Sequence, residues 1–153
     1  MSKEMTLEQR IQRLEDIEAI KNIQASYGHY CDKGWNDKSM NCKNVALLFT
    51  EDATVEMPNI YVSMKGRAEI TQLYEALDAA TTFFMHSFSN PIIDVDGDKA
   101  KAKWLLLLGG KTDNKTTLTY GSYENEYVRT TQGWLISKIL LHTANIVTSA
   151  EIS

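Results

Sequence analysis

Histidine is the side chain whose proton comes and goes near neutral pH, and this chain carries three, at positions 29, 86 and 142. His86 stands in FFMHSFSNP, residues 83–91, a run with the two-residue period of a strand. That period puts Phe84, His86, Phe88 and Ile92 on one face. Three apolar companions predict that this face, and His86 with it, points inward. Such a histidine is either a packing residue satisfied by one hydrogen bond or a base facing a pocket. In apolar surroundings it stays largely neutral, because desolvation disfavours the imidazolium. A neutral imidazole with a free ring nitrogen removes protons near pH 7. It then needs a partner that fixes its tautomer and stabilises the cation that forms.

Asp32 is the candidate partner. It follows a helical stretch whose apolar face includes Tyr27, Tyr30 and Cys31. A carboxylate at a helix C-terminus is opposed by the helix dipole and needs a compensating contact. Gly28, one turn earlier, leaves room beside it. Tyr27, Tyr123 and Tyr127 are the further polar tips expected near a pocket, either packing with satisfied hydroxyls or polarising a carbonyl. Asn125 is inward by strand parity, and a buried amide must find partners. His142, in ILLHTAN, is a second-rank pocket candidate because its parity is ambiguous, and His29 falls on the polar side of its helix. No HExxH, CxxC, GxGxxG, P-loop or nucleophile-elbow pattern occurs, so neither metal nor cofactor is expected. The chemistry that remains is proton transfer.

The elements that would position these groups follow from periodicity. Thr6 with Gln9 reads as a capping box opening a helix at Leu7. Apolar residues at Leu7, Ile11, Leu14, Ile17, Ile20, Ile23, Tyr27 and Tyr30 drift around that helix, which predicts a kink or two consecutive helices ending near Lys33-Gly34. A short helix is expected over residues 41–49, a strand from EDATVEM, and a third helix opened by Gly66 with Ile70, Leu73, Tyr74 and Leu77 on one stripe.

After residue 82 the period becomes two. A strand over 84–95 is expected to turn at Asp96-Gly97 into KAKAKWLLLL. There Lys99, Lys101 and Lys103 mark a wet face and Ala100, Ala102 and Trp104 a dry one. In TYGSYENEYVR, Gly121, Tyr123, Asn125 and Tyr127 share one side, and a last strand runs from Trp134 to about Ile146. Helices followed by long antiparallel strands predict an α+β fold, helices packed on a strongly curved sheet around a pocket. Phe88, Trp104, Leu106, Asn125 and Tyr127 are expected to line it.

The 153 residues fit one domain, 1–153. A net charge of −4 with scattered basic residues excludes an electrostatic footprint for nucleic acid. No apolar run approaches the roughly 20 residues that span a bilayer, and no membrane association is expected. Two cysteines and no signal-type leader make a cytoplasmic location the default.

Four segments, LEDIEAIKNIQASYGHYCDKGW, LFTEDATVEM, MHSFSNPIIDVDGDKAKAKW and GSYENEYVRTTQGWLISK, come in the order and spacing of SnoaL-like proteins. The resemblance runs over roughly residues 7–146. It implies the cone-shaped nuclear transport factor 2-like fold, shared by scytalone dehydratase, bile-acid 7α-dehydratase and lindane dehydrochlorinase. It further implies that Asp32 and His86 form a catalytic dyad, that Tyr27 and Tyr123 orient substrate, and that the protein is a dimer or trimer joined through the outer sheet face. The chain departs from those relatives at AKWLLLL, where Trp104, Leu106 and Leu108 make the pocket face apolar. The expected activity is a cofactor-independent lyase or isomerase of dehydratase or dehydrohalogenase type, acting on a small hydrophobic carbonyl or ring compound. A non-catalytic ligand-binding or dimerisation module of the same fold and a polyketide cyclase stay open as alternatives.

Overall fold

The computed structural model describes residues 4–150. Helix α1 (Leu7–Cys31) opens on the capping box: Gln9 N–H donates to Thr6 Oγ1 at 3.2 Å and Thr6 N–H to Gln9 Oε1 at 2.9 Å. The expected kink is absent, and α1 is one helix of 25 residues. Its buried stripe is Asp16, Ile20, Gln24, Tyr27, Gly28 and Cys31, while Leu7, Ile11 and Leu14 remain in solvent. The drift of the apolar pattern therefore reflects polar residues on the inner face and apolar ones outside.

The helix also stops earlier than expected. Asp32 caps it in an extended conformation, and the backbone of Lys33 exchanges two hydrogen bonds with Phe84. Gly34 follows at φ +100°, where a Cβ would lie 2.4 Å from the Thr82 carbonyl. This early stop faces Asp32 toward the strand that carries His86.

Next come α2 (Cys42–Leu47), capped by Asn41, then β1 (Phe49–Met57), a 3₁₀ turn (Pro58–Ile60), β2 (Val62–Lys65) and α3 (Arg67–Ala80). Four long strands complete the chain: β3 (Phe83–Asp96), β4 (Lys99–Thr112), β5 (Lys115–Thr130) and β6 (Gly133–Ala150). They form one open six-stranded sheet in the order β2-β1-β6-β5-β4-β3. Only the β1–β6 pairing is parallel. The β3–β4 turn is Gly97-Asp98, one residue beyond the expected tip, with Gly97 at φ +58°. The helices cover the inner face of the sheet, giving the α+β cone.

The predicted alternation holds along β4 and β5. Ala100, Ala102, Trp104 and Leu106 are buried between exposed Lys99, Lys101, Lys103 and Leu105. Tyr123, Asn125 and Tyr127 are buried beside them. Strand β3 breaks the expectation at one point. Its register shifts between Ser89 and Ile92, with Asn90 at φ +50° and Pro91 unable to donate to the ladder. The shift reverses parity, so Ile92 is 69% exposed and Ile93 packs on the core in its place.

Candidate functional site

Four elements converge on one cavity. Strand β3 supplies His86, the end of α1 supplies Tyr27 and Cys31, α3 supplies Tyr74, and β5 supplies Tyr123. The cavity measures about 150 Å³. Apart from these groups its wall is mainly apolar, from Met40, Met57, Leu77, Phe84, Leu108 and Leu141.

Asp32 lies against His86. One oxygen, Oδ1, accepts the His86 backbone N–H at 2.8 Å and stands 2.8 Å from the ring nitrogen Nδ1. The side chains are 5% exposed for His86 and 7% for Asp32. An ionised carboxylate has only acceptors, so Nδ1 carries the proton and Nε2 is the free lone pair. Among the described residues Nε2 has no hydrogen-bond partner. The backbone bond from the same residue locks the carboxylate in place, so the tautomer is fixed by two contacts rather than one.

His86 also lines a groove of about 320 Å³ between α1 and β3, with Trp104 of β4 at its floor. Lys21, Gly28, His29, Asp32 and Ser87 are among its lining residues. Asp32 lines this groove and not the inner cavity, whereas His86 lines both. Gly28 makes the close approach possible: a Cβ there would sit 2.9 Å from the Phe88 ring and 3.4 Å from His86 Cβ.

The tyrosines surround the imidazole. The Tyr27 ring stands 5.8 Å from that of His86, and its hydroxyl is 2.9 Å from the Tyr74 hydroxyl. Burial raises the Tyr27 and Tyr74 phenols well above the usual tyrosine range, and Tyr123 moves the same way. All three are therefore neutral donors at any ordinary pH. Desolvation likewise pushes the Cys31 thiol up, making it a packing group rather than a thiolate.

The structure thus brings together Asp32, His86, Tyr27 and Tyr123 and separates the other expected pocket residues. Phe88 packs against the imidazole, its ring centroid 5.7 Å from both His86 and Tyr123, and with Trp104 it faces the groove. Leu106 is core. Asn125 and Tyr127 lie in a buried polar layer, donating to Gln24 Oε1 at 3.0 and 2.9 Å, and burial pushes the Tyr127 phenol up to about 12. These side chains fill the Lys99–Trp104 end of the sheet, so the cavity is confined to the Leu108–Thr119 end. His142 is on the outer face, its side chain 48% exposed and 3.9 Å from Glu124. Register shifts at Tyr120/Gly121 and Glu126/Tyr127 reset parity in β6, so Leu141 and not His142 points inward. Tyr74 and Leu77 were legible only as a helix stripe, because nothing local says that α3 closes the cavity.

Among the described residues no three His, Cys, Asp or Glu side chains cluster in a way that could hold a metal. No helix is long and apolar enough to cross a membrane.

Comparison with known proteins places this geometry in context. No curated protein matches the sequence. Among solved structures, a hexachlorocyclohexane dehydrochlorinase, LinA Type2, aligns with a TM-score of 0.81 at 21% identity, over 94% of this chain and 95% of that one. A protein provisionally assigned as a scytalone dehydratase, from Novosphingobium aromaticivorans DSM 12444, gives a TM-score of 0.77 at 21% identity over 92% of each chain. An NTF2-like protein with a cystatin-like fold from the same species gives 0.75 at 23%, over 95% of this chain and 92% of that one. At these identities the likeness is one of fold, the NTF2-like cone. The sequence itself matches the SnoaL-like domain over residues 12–139, most of its length, and the protein belongs to the SnoaL-like family.

Proposed function

We propose that the protein is a general-base lyase of the dehydratase type acting on a small hydrophobic molecule. The observation that carries the reading is the 2.8 Å contact between His86 Nδ1 and Asp32 at the wall of an apolar cavity. In this reaction His86 Nε2 removes a proton from a carbon beside an activating carbonyl. The C–H electron pair becomes the new C=C bond as the neighbouring C–O bond breaks. The departing oxygen takes the proton that the imidazolium has gained, so water leaves and the base is restored. Asp32 remains ionised and stabilises the imidazolium through Nδ1–H. Loss of halide is the same step with a leaving group that needs no proton, and the imidazolium then returns its proton to solvent. A long polyketide chain suits a cavity of about 150 Å³ poorly, which disfavours the cyclase alternative.

A positioned base is worth roughly 10²- to 10⁴-fold in rate. His86→Ala is expected to lower turnover by at least about 10²-fold while ligand is still bound. Turnover within a few-fold of wild type in that variant would overturn the mechanism and leave the non-catalytic binding module as the reading.

A further inference from the structure

We propose that the Tyr27–Tyr74 hydroxyl pair reads one oxygen acceptor on a neutral molecule of single-ring size held in the inner cavity, which makes Tyr74 a substrate-contacting residue. The inference rests on the reaction site above and narrows its substrate class. Size comes first. A cavity of about 150 Å³ matches the scale at which an apolar protein cavity takes up benzene, and a fused polycyclic skeleton exceeds it.

Charge comes next. Among the described residues the lining contains no Asp, Glu, Lys or Arg, and His86 is its one titratable nitrogen. A carboxylate or phosphate bound there would lose its hydration with no cation to meet it. A neutral ligand avoids that cost.

The hydroxyls then set the polar requirement. Tyr27 and Tyr74 face each other at 2.9 Å, and whichever donates, the other keeps its own proton. Desolvation keeps both phenols protonated, so the pair has a donor to offer and no charge. Both residues line the cavity. The Tyr27 ring also lies beside His86, at 5.8 Å between centroids. A carbonyl oxygen on the hydroxyl pair therefore puts the adjacent carbon next to the free imidazole nitrogen. Tyr74 reaches this point from α3, opposite the sheet, so it closes the cavity as well as marking the oxygen.

Calorimetric titration of the wild-type protein with four probes tests the proposal: acetophenone, ethylbenzene, benzoate and the four-ring ketone androstenedione. One neutral hydrogen bond corresponds to about a five- to tenfold preference for acetophenone over ethylbenzene. Benzoate and the four-ring ketone are expected to bind at least about tenfold more weakly than acetophenone. Tyr74→Phe should remove the acetophenone preference and leave ethylbenzene binding unchanged, a split that general destabilisation does not produce. Infrared spectra of acetophenone bound to wild type supply a readout without any variant, with the carbonyl stretch moving to lower frequency. Equal affinity for the two ring probes, or uptake of benzoate or the four-ring ketone as tight as acetophenone, overturns the proposal. So does a preference that survives Tyr74→Phe, or an unshifted carbonyl stretch. These are equilibrium readouts, so they stand or fall independently of turnover in His86→Ala.

Discussion

Helix α1 buries one carboxylate midway along its length, Asp16, and is capped at its C-terminus by a second, Asp32, and the two are held in opposite ways. Asp16 is saturated. Arg129 grips it with Nη1 and Nη2, each at 2.8 Å, and Trp134 Nε1 and Gln12 Nε2 add bonds at 3.0 and 3.1 Å. Arg129 is itself held by Asp98 and stacks over Trp134, 4.6 Å from the ring. Asp32 has both its contacts on one oxygen and from one residue. Its second oxygen has no donor among the described residues. A permanently charged, fully bonded partner makes a fastener between helix and sheet. An imidazole partner, in the reaction proposed above, draws on the carboxylate's field when it takes a proton. The same residue type thus anchors helix to sheet at Asp16 and, in the reaction proposed above, serves proton chemistry at Asp32.

Substituting each aspartate is the direct way to break that contrast, and the largest effect is expected at Asp32. Asp32→Asn should lower turnover by about 10²-fold or more, since the carboxylate no longer orients or stabilises the imidazolium. Its unfolding free energy should stay within about 1 kcal/mol of wild type in urea titrations. Asp16→Asn should show the reverse profile. Breaking one side of a largely buried pair costs about 3 kcal/mol, while activity per folded molecule is preserved. A variant at position 16 that kept full stability but lost turnover would invert the assignment of the two carboxylates.

Acid sharpens the same comparison. The hydrogen bonds from Arg129, first among several causes, hold the Asp16 carboxyl below its ordinary value of 3.8. A lowered folded-state value means that its stabilisation is complete above the unfolded-chain value, about pH 4, and is lost as pH falls through the folded one. The stability gap between wild type and Asp16→Asn should therefore be constant near neutrality and shrink below about pH 4. A gap that widened on acidification would contradict the sign.

Gly28→Ala should have the smallest effect on stability. Alanine favours a helix over glycine by about 1 kcal/mol, which offsets much of the strain from a methyl group 2.9 Å from Phe88. The ring it pushes is packed against His86, so turnover should fall by about tenfold with little change in melting temperature.

Periodicity made the α+β order, the wet and dry faces of β4 and the inward Phe84, His86 and Phe88 legible. Those features depend on neighbours two residues apart, and the chain states them locally. The inner stripe of α1 was not legible, because Asp16 and the Gln24 amide oxygen accept hydrogen bonds from Arg129, Trp134, Asn125 and Tyr127, more than 100 positions away. Ile92 and His142 were misassigned or ambiguous for a different reason. Each follows or neighbours a register shift, and one unpaired residue reverses every side chain beyond it. The Asn90-Pro91 pair is the one such shift with a sequence signal, since an Asn-Pro step marks a break. The cavity end of the cone depended on which large side chains fill the other end, a volume question that spacing does not answer.

The break at Asn90-Pro91 has an effect beyond the interior. Strand β3 is the long outer border of the sheet, and a straight border of that length invites a strand from another molecule to dock on it. Lys33 already occupies the backbone groups of Phe84 at one end. The proline interrupts the remainder, removing a donor where an added strand would need one. The protein can therefore carry His86 on its longest exposed edge strand and still resist fibre-like stacking through it.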